Sequence, residues 1–169
     1  MTKRNVMITI RSARTEVPEE LFEEESAPLP DDEPMELPEM PEPTDLILEG
    51  RLITGATRVE LVYEESELSG MLGAVTSIGF ERATPGLVSM MRTGTVKTAL
   101  VFEEGKRHFS VYDTPFSSFQ VCVHTLRVDN RLLSDGELHL DYLVEIHGAQ
   151  AEHCRMSILA RTDEGWSVT

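Results

Sequence analysis

From Glu137 to His147 the side chains alternate. Leu138, Leu140, Tyr142, Val144 and Ile146 occupy every second position, Glu137, His139, Asp141, Glu145 and His147 stand between them, and only Leu143 is out of step. A two-residue period marks a half-buried strand, because successive strand side chains point to opposite faces of a sheet. Thr57 to Tyr63 repeats the pattern, with Val59, Leu61 and Tyr63 opposite Arg58 and Glu60. Lys106 to Asp113 repeats it less cleanly, with Phe109 and Val111 opposite His108, Ser110 and Tyr112. Turn signals punctuate these runs at Thr54-Gly55, Ser69-Gly70, Pro85-Gly86, Thr93-Gly94, Glu104-Gly105, Ser134-Asp135-Gly136 and His147-Gly148. Their spacing predicts ten strands, near 5–14, 45–54, 57–64, 73–82, 87–93, 95–103, 106–113, 117–128, 137–147 and 151–161. No long helix and no internal repeat competes with this reading. The expected fold class is all-β, an antiparallel meander of eight to ten strands closed into a barrel, since closure removes exposed sheet edges.

Charge divides the chain. From Glu16 to Glu49 there are 14 acidic residues, no Lys or Arg, and seven of the nine prolines. The 30 acidic and 15 basic residues of the whole chain thus leave 16 against 15 elsewhere, a nearly neutral domain with an acidic insert. Prolines remove backbone donors and stop helices, and like charges with few large apolar groups give nothing to bury. The expected organisation is a first barrel strand in 1–15, a disordered acidic Pro-rich insert in 16–44, the barrel proper in 45–162 and a C-terminal tail in 163–169. The insert reads first as a solvated spacer, and second as a docking segment for a basic protein partner, with Leu21, Phe22, Met35, Leu37 and Met40 as apolar anchors. Deleting it is expected to leave the barrel folded, because closure entropy grows slowly with loop length.

Several classes are set aside on composition. Met1 to Ile10 holds too short an apolar stretch for a signal peptide, and no run suits a membrane span, so a cytoplasmic location without membrane contact is expected. Two cysteines make no disulfide scaffold. The scattered basic residues, balanced by acid, argue against nucleic-acid binding.

Taken in order, Tyr63-Glu64-Glu65-Ser66-Glu67, Ser69-Gly70, Met91-Arg92-Thr93-Gly94, Phe102-x-x-Gly105, Tyr112-Asp113-Thr114-Pro115-Phe116, Gly136-x-Leu138-x-Leu140-x-Tyr142 and Met156-x-Ile158 form a recognisable series. The series resembles the YwiB-like family, small bacterial proteins with a calycin-type, lipocalin-like β-barrel. It covers roughly residues 45–161, plus a first strand at 5–14. Two departures stand out: the family's loop after the first strand is short, and Ser117 occupies the place of a glycine in the family's Thr-Pro-aromatic-Gly turn. The resemblance implies a fold and no established activity, and one fold hosts many functions.

The polar residues within that pattern are Glu65, Glu67, Arg92, Tyr112 and Thr114. A carboxylate and an arginine at strand ends make either a structural ion pair at a barrel mouth or a place to bind and orient an anion. These five are the candidate ligand-binding residues. Phe109, Val111, Phe119, Val121, Val123, Leu138 and Leu140 are the expected lining of the barrel, which at this strand number either fills with side chains or holds one small ligand. Cys122 and His124 share a strand face, but no third group orients them, and no Cys or His spacing matches a metal site. No catalytic residues, metal or cofactor are therefore expected. Two readings of function lead, a barrel that binds a small molecule and an interaction module that presents the acidic segment to a basic partner; an enzyme using Glu67 or Arg92 is the third and weakest.

Overall fold

A computed structural model describes residues 1–17, 39–66, 72–146 and 151–162. Ten strands follow one another: β1 (Thr2–Val17), β2 (Thr44–Thr54), β3 (Arg58–Glu64), β4 (Val75–Glu81), β5 (Leu87–Thr93), β6 (Lys97–Glu103), β7 (Arg107–Asp113), β8 (Ser118–Arg131), β9 (Glu137–Ile146) and β10 (Ala151–Arg161). Each pairs antiparallel with its neighbour in sequence, and β1 pairs with both β2 and β10, so the sheet is a closed meander barrel. One short helical turn, α1 (Leu132–Asp135), joins β8 to β9.

Directly paired residues of an antiparallel ladder share a face, so the register identifies the interior. Val59 pairs with Phe80, and Val88 with Phe102, forming one apolar layer near the base. One layer higher, Leu61 pairs with Ile78, Ile78 with Met90, and Met90 with Leu100. Val6, Ile8 and Ile10 of β1, Leu138 and Leu140 of β9, and Ile158 and Ala160 of β10 complete the same core. Leu132 of α1 is wholly buried in it and closes the base. Phe102 spans the interior to meet Tyr142, ring centroids 4.8 Å apart at 58°.

Two irregularities shape the wall. Between Thr125 and Arg127 the β8–β9 register shifts, which makes Leu126 an extra residue and returns Val128 to the interior opposite Leu140. Leu126 packs instead on a second, separate cluster of Val17, Cys122, Leu143 and Ala151. At Gly50 an added Cβ would lie 2.3 Å from Ile8 Cδ1 and 2.8 Å from the Val62 carbonyl oxygen, so the missing side chain is the space that Ile8 fills.

The strand β7 is turned against its apolar pattern. Thr98 pairs with Tyr112, and Tyr112 with Phe119, so His108, Ser110 and Tyr112 face the interior side while Phe109 and Val111 face out. Phe109 is 64% and Val111 54% exposed. The expectation that these two line the barrel is thus corrected. Val121, Val123, Leu138 and Leu140 are buried in the core as expected, and Phe119, on the same face of β8, is 39% exposed.

Candidate functional site

Above the two apolar layers the interior changes character. Tyr63 pairs with Thr76, Thr76 with Arg92, Arg92 with Thr98, and Thr98 with Tyr112. These pairings set a polar row across five consecutive strands, β3 to β7, at one level of the interior. Every one of those strands is apolar on its inward face one layer below, apart from β7. The row lies at the mouth, where β1, β3, β5, β7 and β9 end.

Glu65 completes the row just beyond the end of β3. Its N–H donates to the Ala74 carbonyl at 2.8 Å, which fixes the side chain toward the interior edge of β4. There the Thr76 hydroxyl donates to Glu65 Oε1 at 2.5 Å. Arg92 Nε–H is shared between Glu65 Oε1 at 3.4 Å and Thr76 Oγ1 at 3.3 Å. The side chains of Glu65 and Arg92 are 3% and 15% exposed, so this is a largely desolvated ion pair with one hydroxyl bridging it. Tyr63 stands beside the pair, and its hydroxyl is pushed up to about 12, chiefly by burial and then by the Glu65 charge.

The loops that frame the row are held by close backbone approach. Gly94, between β5 and β6, has φ of +108°, and an added Cβ would lie 2.4 Å from the Gly73 carbonyl oxygen. The Thr95 hydroxyl donates to the Leu72 carbonyl at 3.2 Å. The β5–β6 turn therefore leans on the β3–β4 loop, keeping Arg92 and Thr98 level with Glu65 and Thr76.

One polar atom in the row has no partner among the described residues. Thr98 Oγ1 is buried and unbonded between the Arg92 and Tyr112 positions. Thr125 Oγ1, on β8, is likewise buried without a hydrogen bond, while His108 Nε2 on β7 has only the Glu103 carboxylate near it, at 3.5 Å. Buried hydroxyls and imidazoles are normally satisfied, by protein, water or ligand. Further round the wall, Tyr142 lies against the Cys154 thiol with its hydroxyl raised by burial first. Burial also pushes the Cys154 thiol up to about 11.

The five residues singled out from sequence have different fates. Glu65 and Arg92 meet, and Tyr112 joins their row on β7. Thr114 stands at the same mouth, but its hydroxyl accepts from the N–H groups of Phe116 and Ser117 and donates to the Ser117 carbonyl, forming the β7–β8 turn. Glu67 lies outside the described residues, as do most of the acidic insert and the C-terminal tail. Thr76 and Thr98 were not singled out. Their signal was positional: Thr98 and Arg92 flank the Thr93-to-Lys97 turn symmetrically, and a hairpin pairs such residues. Among the described residues no three His, Cys, Asp or Glu side chains come together as metal ligands would. No helix among them is long and apolar enough to cross a membrane.

A closed ten-stranded antiparallel barrel, packed at its base and polar at its mouth, places the chain among the small meander barrels. The family is specific. The chain belongs to the family described as a domain of unknown function (DUF1934), whose model matches residues 35–158. Its fold is similar to the crystal structure of the YwiB protein from Bacillus subtilis, with a TM-score of 0.61 over 95% of this chain and 94% of that one, at 17% identity. Among curated proteins none matches the chain.

Proposed function

We propose that the protein binds a small polar molecule at the barrel mouth, with Arg92, Thr98 and Tyr112 as its principal contacts and Glu65 holding Arg92 in place. The observation that carries this reading is the unbonded, buried Thr98 hydroxyl, set in a polar row beside a desolvated ion pair. A barrel that served only to fold would gain by filling that level with apolar side chains, since a buried ion pair is often no more stable than a hydrophobic replacement. The guanidinium suits a ligand carrying an anionic group, because arginine matches planar anions in geometry as well as charge. Thr98 and Tyr112 offer hydroxyls that donate or accept, and so suit the rest of a hydrogen-bonding molecule.

Native mass spectrometry of the full chain, purified without denaturation from its own host, tests this. A small non-covalent mass is expected on the wild type and is expected to be lost in Arg92→Met and Thr98→Val. A bare wild type, or a ligand retained by both variants, removes the proposal.

A further inference from the structure

The outward residues of β6 are Lys97, Ala99, Val101 and Glu103, and those of β7 are Arg107, Phe109, Val111 and Asp113. Read from mouth to base, β6 runs from a cation through two apolar residues to an anion. The antiparallel strand β7 runs from an anion through two apolar residues to a cation. Lys97 and Asp113 stand side by side at the mouth end. Glu103 and Arg107 are at the base end. Phe109, Val111 and the neighbouring Met91 of β5 are 64%, 54% and 48% exposed. An apolar centre of this kind, rimmed by charge, marks a contact surface.

We infer that the outer face of β6 and β7 binds a second copy of this chain, face to face, about a two-fold axis crossing the strands at the level of Leu100 and Ser110. The Thr98–Tyr112 pairing, carried two residues further, sets those positions about level. Such an axis exchanges mouth and base while laying β6 on β6 and β7 on β7. Lys97 then meets Glu103 of the second copy, and Asp113 meets Arg107 of the second copy. Each of these contacts occurs twice, as a two-fold interface requires. Ala99 meets Val101, and Phe109 meets Val111, an aromatic against a β-branched side chain. A partner of another kind would need only an apolar patch; the matched order of charge on two adjacent strands is what a copy of the same surface satisfies.

The local contacts of Glu103 and Asp113 are compatible with this arrangement. Glu103 Oε1 lies 3.5 Å from His108 Nε2, and Asp113 accepts from the Ser118 hydroxyl, yet a carboxylate has lone pairs for several donors. Facing sheets pack with strands turned by about 30°, and the long Lys97 and Arg107 side chains span that offset. The face is modest. β6 and β7 alone, about 4.8 Å apart and seven residues long at about 3.3 Å each, give roughly 220 Å² per copy, and with the flanking β5 and β8 roughly 440 Å². Even the larger figure totals roughly 880 Å² for both copies, below the range of stable specific interfaces, so the dimer is weak and concentration-dependent rather than obligate.

Sedimentation velocity from low to several hundred micromolar tests the inference on the full chain. The mean mass is expected to climb from one chain toward two, and a wild type monomeric throughout overturns it. Val111→Lys and Phe109→Lys, both at exposed positions, should stay monomeric with an unchanged melting temperature, and a dimer persisting in both overturns it. A charge exchange isolates the axis. The pair Lys97→Glu with Asp113→Lys keeps opposite charges side by side within one chain but sets like against like across the axis, and should abolish the dimer. Adding Glu103→Lys and Arg107→Glu restores complementarity and should restore the dimer; a quadruple variant no better than the double overturns the proposed geometry.

Discussion

Removing Arg92 should cost more than removing its partner, and the structure says by how much. Glu65 is 3% exposed and set back behind β4, so Arg92→Met strands a carboxylate that cannot swing to water. Breaking a buried ion pair from one side costs about 3–5 kcal/mol. Glu65 keeps its 2.5 Å bond from Thr76, and a hydrogen bond to a charged group is worth about 1.5–3 kcal/mol. Part of the cost is therefore retained by Thr76, and about 2–4 kcal/mol is the expected loss. The opposite change, Glu65→Gln, leaves Arg92, whose side chain is already 15% exposed and stands at the mouth. Its long stem lets the charge reach solvent, and about 1–2 kcal/mol is expected. The assay is urea unfolding of wild type, both single variants and the double variant, followed by far-ultraviolet circular dichroism. The double variant should be more stable than the two losses added together, because neither uncompensated charge remains. Equal costs for the two single variants, or strict additivity in the double, would refute the view of Glu65 as the trapped member of the pair.

Three further outcomes follow from the same interior. Tyr63, with its hydroxyl raised from 10.0 to about 12, binds its proton more tightly folded than unfolded. Stability should hold below pH 10 and fall as pH rises from 10 toward 12, by up to roughly 2–3 kcal/mol; Tyr63→Phe should remove that part of the alkaline loss in pH-dependent melting curves. Gly50→Ala should cost about 1–3 kcal/mol by overpacking, since the new Cβ meets both Ile8 and the Val62 carbonyl, and an Ile8→Val change in the same chain should recover part of it in denaturant titration. With the Cys154 thiol pushed up to about 11 by burial, it should resist alkylation near neutral pH and react readily only after unfolding, as mass spectrometry of iodoacetamide-treated protein would report.

Most of the strand boundaries were legible because the chain punctuates them. Ten strands were expected and ten are present among the described residues, those at 87–93 and 151–161 with the expected bounds. Alternation, however, states only that two faces differ and leaves open which faces in. On β9 the apolar set is inward, and chemistry and geometry agree. On β7 they disagree, because the Thr98–Tyr112 pairing, one residue on each side of a turn, fixes the orientation of the whole strand and sends Phe109 and Val111 outward. A one-residue change of register would have reversed that outcome. The candidate site was legible to the same degree. A charged pair within the family pattern pointed to Glu65 and Arg92, which meet. Thr76 and Thr98 passed unnoticed because a threonine in a strand is unremarkable until its neighbours across the ladder are known. Thr114 has the right location, but its hydroxyl shapes the turn, as threonines at such positions often do.

The seam between β1 and β10 has a consequence for how the barrel comes into being. The wall closes where Met7 meets Arg161 at one end and Val17 meets Ala151 at the other, so the first strand of the barrel waits for its last during synthesis. Until β10 has been made, every growing chain is an open sheet with two unsatisfied edges, at β1 and at whichever strand was synthesised last. Contacts this remote in sequence slow the final step of folding, and open edges recruit other chains in the meantime. A ribosome that stalls before Ala151 thus releases a strand-rich sheet prone to aggregate, so protection during synthesis matters more for this meander than for a bundle of locally paired helices.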